Sequence, residues 1–285
     1  MKKSEKRHKI RGTVRLLLIA VCCQLFSAFA QEPSAPSDMT YIPSGQFIMG
    51  NDEGTPTERP AHKVYLDAYY IARHEVTNAE YYAFWIADGG AESSHTPISY
   101  GKRAGIGNWP QIARTKPDYP IVGVSWADAV SYAKWADKRL PTEAEWEKAA
   151  RGNDGRLWPW GNIFSVPTHG ITVHANVWEG NDGFDNGLAP VGSYSTGASA
   201  FGVLDMAGNV WEWVADWYSD TYYSHSLAEN PKGPKTGSRR ILRGGSWVNG
   251  PQLVGSTIHM GQHPAVGTSF IGFRLAKDVE KEIRK

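Results

Sequence analysis

The sequence predicts a mixed fold of short helices and short strands, with a long irregular stretch in its second half. Three observations carry that prediction. Capping boxes open three helices ahead of Gly152, and apolar runs of strand length flank them. Beyond Gly152 the helical period fades while tryptophan and tyrosine stay dense, and disordered segments are poor in aromatics.

The chain has 285 residues, enough for one large domain or two small ones. It opens on Lys2, Lys3, Lys6, Arg7, Lys9, Arg11 and Arg15, then runs apolar from Leu16 to Phe26. Ala28-Phe29-Ala30 fits the small-x-small cleavage rule, so residues 1–30 read as a secretory signal cut after Ala30. The apolar run is shorter than the ~20 residues a membrane span needs, which argues against an uncleaved anchor. A lipoprotein signal ending at Cys22 is disfavoured by Val21 before the cysteine. The expectation is a soluble periplasmic or secreted protein with no stable membrane insertion after cleavage.

The signal carries seven of the 30 basic residues and one of the 29 acidic ones, so the remainder holds 23 and 28, a formal charge of −5. That balance argues against a nucleic-acid partner, which needs a basic face. The two cysteines, Cys22 and Cys23, also fall in the signal, leaving residues 31–285 with no thiol nucleophile or thiolate ligand.

Residues 31–38 are polar and Pro-containing, a flexible leader. Residues 41–50 read as a strand, a turn at Ser44-Gly45 and another strand; 51–60 as a loop; 64–71 as a strand. The boxes Thr77-x-x-Glu80, Ser125-x-x-Asp128 and Thr142-x-x-Glu145 open helices, the second running over 126–138 and the third through Arg151 to a stop at Gly152. A last strand covers 271–276, and 278–285 is a charged tail.

Two stretches stand out, Gly208-Asn209-Val210-Trp211-Glu212-Trp213 and Arg243-Gly244-Gly245-Ser246-Trp247. With Ile42-Pro43-Ser44-Gly45, Glu75-Val76-Thr77-Asn78, Trp158-Pro159-Trp160-Gly161 and Gly272-Phe273-Arg274 in the same order, the chain resembles the formylglycine-generating enzyme (sulfatase-modifying factor) family over residues 39–277. The resemblance implies a single α+β domain of low regular content, distantly like C-type lectins. It also implies two calcium sites: Asn176, Val177, Asp182 and Phe184 in one; Asp205, Gly208, Val210 and Glu212 in the other. Loop carbonyls with a carboxylate or two make the hard-oxygen set that calcium prefers.

The departure from the family matters equally. The enzymes of the family that oxidise a sulfatase cysteine carry a reactive cysteine two residues after the aromatic of the second stretch and another five residues later. Here those positions hold Asn249 and Val254. Neither can replace the thiolates that bind Cu(I), a soft ion. Ser246 and Trp211 match residues lining the family's oxygen and substrate pocket, and mark either a surviving cleft or, for Trp211, core. In His259-Met260-Gly261-Gln262-His263 two imidazoles stand four apart. On a helix that spacing can bind one metal, but Gly261 and Pro264 argue against a helix, so loop histidines compete with a metal or proton-transfer pair.

Three functions follow as expectations. The first is a cysteine-free exported maturation factor or oxidoreductase, similar to the pyoverdine-maturation and nitrite-reductase accessory proteins. It would act on a small aromatic or peptide substrate, or a client metalloenzyme, through His259, His263, Ser246, Trp211 and Asn249. The second is a non-catalytic lectin-like binding or structural module. The third is a formylglycine generator using a thiol-independent route.

Overall fold

The three capping boxes form as the sequence predicts. In the computed structural model, which describes residues 36–99, 107–164, 174–178, 184 and 187–280, they open α1 (Asn78–Ala87), α3 (Trp126–Trp135) and α4 (Glu143–Arg151). A short α2 (Ile112–Thr115) lies between the first two. Helix α3 stops before residue 138, because Asp137 takes a left-handed φ of 53°. Residues 1–30, and with them the expected signal and both cysteines, lie outside the described residues.

The strands are β1 (Met39–Ile42), β2 (Gly45–Met49), β3 (His62–Leu66), β4 (Tyr69–Ala72), β5 (Trp211–Trp217), β6 (Arg240–Arg243), β7 (His259–Gln262), β8 (Ile271–Phe273) and β9 (Ala276–Asp278). Two expected single strands are each divided. The 64–71 run breaks between β3 and β4, which enter different sheets; 271–276 breaks between β8 and the start of β9. Alternation reads one face at a time and does not register a strand that changes partner. β1, β4 and β9 make one antiparallel sheet, and β2 and β3 a ribbon. The central sheet has the order β7-β6-β5-β8, antiparallel except for the β5–β8 pair.

Strand β5 organises the interior by its two-residue period. Trp211 and Trp213 face a cluster built from α1 and α3 with Tyr81, Trp85 and Tyr132, while Val214 faces Trp146, Phe47 and Tyr69 around α4. The sheet therefore carries helices on both faces. Helix α4 is buried throughout, although it contains Glu143, Glu145, Glu147, Lys148 and Arg151. Each of these charges has a partner, which is the condition for burying it. Lys148 Nζ donates to the Pro43 and Gly45 carbonyls at 2.7 and 3.0 Å, and so pins the Ser44-Gly45 turn. Burial pushes its ammonium down to about 8.

Thr142 Oγ1 accepts the Glu145 N–H at 3.2 Å, and Glu145 Oε2 accepts the Thr142 N–H at 2.7 Å. Thr142→Ala is expected to lower unfolding stability by about 1 kcal/mol, read by urea titration. An unchanged midpoint would mean that the reciprocal bond alone holds the cap.

Candidate functional site

The two signature stretches meet through the backbone. Glu212 pairs with Arg243 across β5 and β6, the Gly208 N–H donates to the Gly244 carbonyl at 2.9 Å, and the Trp247 N–H to the Asn209 carbonyl at 3.0 Å. This brings Trp211, Ser246 and Asn249 together. Asn249 Oδ1 accepts three hydrogen bonds, from Trp211 Nε1 at 2.9 Å, Ser246 Oγ at 2.8 Å and the Ser246 N–H at 3.0 Å. An amide oxygen that accepts this many donors fixes its own rotamer and leaves the Nδ2 donors for something else. Among the described residues nothing accepts from Asn249 Nδ2. Trp211 and Ser246 are buried and Asn249 is half-buried, so the amide sits at the mouth of the group. Val254 is fully buried in an apolar cluster with Ala175, Val177 and Ala207.

The histidines do not join this group, which corrects their expected role. His259 faces Arg243 across β6 and β7. Its Nδ1 donates to Glu143 Oε1, with the Tyr223 hydroxyl 3.4 Å away, and its ring lies edge-on to Tyr218 and Tyr223. Burial alone would raise the Glu143 pKa, but His259 and Arg243 beside it hold the carboxyl below its ordinary range. His263 is exposed on the loop after β7, where its Nδ1 accepts the Ala265 N–H. A spacing of four that is not helical places the two imidazoles in different surroundings. Arg243 closes the buried cluster, donating to Glu147 Oε2 at 2.6 Å with both side chains fully buried.

In the first expected calcium set, Phe184 and Asn176 meet at Gly187. The Gly187 N–H donates to the Phe184 carbonyl, and its own carbonyl accepts from Asn176 Nδ2, both at 2.9 Å. Val177 lies beside them, and Asp182 lies outside the described residues.

In the second set both carboxylates already accept hydrogen bonds. Glu212 is gripped by Arg274, with Nε to Oε2 at 2.6 Å and Nη2 to Oε1 at 2.7 Å, and also accepts from Trp146 Nε1 at 2.8 Å. Asp205 Oδ2 accepts the Gly192 N–H at 2.6 Å. The Glu212 carboxylate is therefore an arginine partner. Among the described residues, no three His, Cys, Asp or Glu side chains converge as a metal-holding group.

Sequence reasoning missed the acid that completes this region. Glu75 is fully buried; its Oε1 accepts from Asn209 Nδ2 at 3.0 Å and its Oε2 has no partner among the described residues. Burial, then Asp205, raise its pKa well above the ordinary value, with Arg274 opposing and Glu212 adding to the rise. The signal was the Glu75-Val76-Thr77-Asn78 motif, quoted above only for its resemblance.

A raised carboxyl pKa contributes stability that is complete below the unfolded value and is lost as pH rises through the folded one. Glu75→Gln keeps the acceptor for Asn209 and removes the titration. In chelator, its melting temperature should match the parent's below the ordinary value of 4.5 and exceed it increasingly as pH rises. A constant difference across pH would mean that Glu75 titrates in the fold as it does in the unfolded chain.

Comparison with known proteins gives a consistent set of similarities. A profile described as a sulfatase-modifying factor enzyme 1-like domain matches residues 25–279. The formylglycine-generating enzyme of Streptomyces coelicolor is 36% identical over 295 aligned positions, covering 88% of this chain and 92% of that one. The hercynine oxygenase of Mycolicibacterium smegmatis is 35% identical over 281, covering 88% of this chain and 63% of that one. The solved structure of PvdO from Pseudomonas aeruginosa aligns with a TM-score of 0.72 at 29% identity, over 88% of this chain and all of that one.

Proposed function

The chain belongs to the sulfatase-modifying factor enzyme 1-like domain family, and from that membership we propose that it is an exported maturation factor that binds and orients a client for oxidation or assembly. The observation that carries this reading is the triply bonded Asn249. The position of the family's reactive thiol holds an amide locked by Trp211 and Ser246, and the second thiol position holds the buried Val254. Soft copper chemistry does not fit these residues. What fits is a neutral hydrogen-bond donor at the mouth of an aromatic-walled group, suited to the oxygen of a phenol-like or peptide substrate. A client of the reduced pyoverdine-chromophore type is electron-rich enough for dioxygen to be the acceptor, so the protein's part is positioning. Assembly of a metalloenzyme client uses the same donor on a peptide carbonyl.

Calcium at the loop of Asn176, Val177, Asp182 and Phe184 would brace the wall beside Asn249, whose carbonyl accepts the Trp178 N–H at 3.0 Å. At the second set Asp205, the Gly208 and Val210 carbonyls and Glu212, whose carboxylate also serves Arg274, would hold the ion. The bound ion supplies positive charge and rigidity; the residues of this chain do the orienting.

A second reading, the binding module, is favoured by the separation of the histidines and by an exposed aromatic surface. Trp160 stacks on His174 at 5.0 Å and Trp158 packs beside it, while Trp178 is 45% exposed and Ile163 79%.

The deciding experiment is metal analysis of the purified secreted form, followed by a dihydropyoverdine oxidation assay and an aldehyde assay on a sulfatase peptide. Turnover of the first substrate that falls at least about tenfold in Asn249→Asp, with the fold retained, supports the maturation role. Asp keeps the acceptor for Trp211 and Ser246 but loses the outward N–H donors. Bound calcium without turnover selects the binding module. Aldehyde on the sulfatase peptide selects a thiol-independent generator.

A further inference from the structure

The geometry points to a second binding site, for an organic anion with an apolar body, in the groove between α3 and the segment at 230–232. The groove has a volume of about 740 Å³, within the range of small-molecule sites. One stripe of α3 lines it: Trp126, Val130 and Ala133 stand four and then three residues apart, and so lie along one side of the helix. Ala215 of β5 lines it as well. Trp211 is four residues earlier on that strand, about 13 Å away at strand rise. The groove is thus separate from the group around Asn249.

Its walls are already set. The Asn230 N–H donates to the Tyr65 carbonyl and Asn230 Oδ1 accepts the Asp67 N–H, both at 2.8 Å, which fixes the 230–232 rim to β3. Trp126 Nε1 donates to the Val214 carbonyl at 2.9 Å, and the Arg240 guanidinium lies 3.7 Å from the ring centre. No such wall has to be ordered when a ligand enters.

Charge selects the occupant. Four basic and three acidic side chains line the groove. Glu145 and Asp278 are both engaged by Arg139, Lys138 is engaged by Asp38, and Asp67, at the Asn230 end of the groove, has a partner of its own. Lys134 and Lys232 are exposed and have no partner among the described residues. A cation would meet these two ammoniums unfavourably, and a neutral apolar molecule would leave them unanswered. A carboxylate, sulfonate or phosphate ester on a ring or chain answers both, with the α3 stripe covering its apolar part.

The test uses the purified chain with 1-anilinonaphthalene-8-sulfonate and its uncharged counterpart N-phenyl-1-naphthylamine, followed by fluorescence. Saturable one-to-one binding of the sulfonate, displaced by decanoate but not by decanol, is the expected result. Lys134→Glu/Lys232→Glu should weaken it about tenfold or more at low salt. Val130→Trp, which fills the groove, should abolish it. Circular dichroism checks that both variants keep the parent's fold. Equal binding of the neutral probe, or sulfonate binding undiminished in the double-charge variant, would overturn the assignment.

Discussion

Arg274→Ala is expected to destabilise the fold by about 3–5 kcal/mol, the largest effect of any single substitution argued from this structure. Arg274 is fully buried and binds Glu212 through a two-point fork at 2.6 and 2.7 Å. It also donates to the carbonyls of Ala72 at 3.2 Å and Leu204 at 3.0 Å. Without it, Glu212 keeps only the Trp146 bond while Glu75 and Asp205 remain close by. An uncompensated buried carboxylate costs far more than the pair is worth as a pair. Arg274→Lys should fall between, because a point charge cannot reproduce the fork. Arg274→Met combined with Glu212→Gln should recover much of the loss, because both members of the pair are then neutral. The measurement is denaturant unfolding in chelator. A loss below about 1 kcal/mol for Arg274→Ala would show that the neighbouring acids neutralise themselves by taking up protons.

Gly208→Ala should disrupt the site itself. Gly208 has φ +79°, and a Cβ there would sit 2.1 Å from the Asn176 carbonyl oxygen. Backbone is the obstruction, so no side chain can swing aside. The left-handed conformation adds about 1 kcal/mol, and relief of the overlap requires Gly208 and Asn176 to part, for a total of about 3 kcal/mol or more. The same movement breaks the Asn209 N–H bond to the Asn176 carbonyl at 2.9 Å. It thereby separates the Asn176 loop from the signature strand. The variant should lose thermal stability and, if that loop holds calcium, the metal as well, checked by calorimetry with and without calcium. A variant as stable as the parent would mean that the close approach of these two backbones is not required.

How much was legible follows from the range of each signal. The helix starts were readable because a capping box is a contact between residues three apart. The run at 64–71 reads as one strand in sequence, because nothing local records that β3 pairs with β2 while β4 pairs with β1 and β9. Asn249 and Val254 were recognisable as replacements, yet the threefold acceptance at Asn249 depends on Trp211, 38 residues away. The spacing of His259 and His263 suits a metal pair only on a helix, which Gly261 and Pro264 oppose; a strand and a turn send one to Glu143 and the other to solvent.

By itself the sequence determined the family, the positions of the three capped helices, the absence of cysteine from residues 31–285 and hence the absence of thiolate chemistry there. Each is a property of residue identity or of neighbours within a turn. Only the tertiary structure decided that Glu212 answers Arg274, that Glu75 is buried with one oxygen unpaired, and that His259 belongs to Glu143. Those outcomes depend on which charges the packed chain brings together out of water. Pairing across 62 residues or 116 residues is set by the closure of the whole core and not by any local pattern.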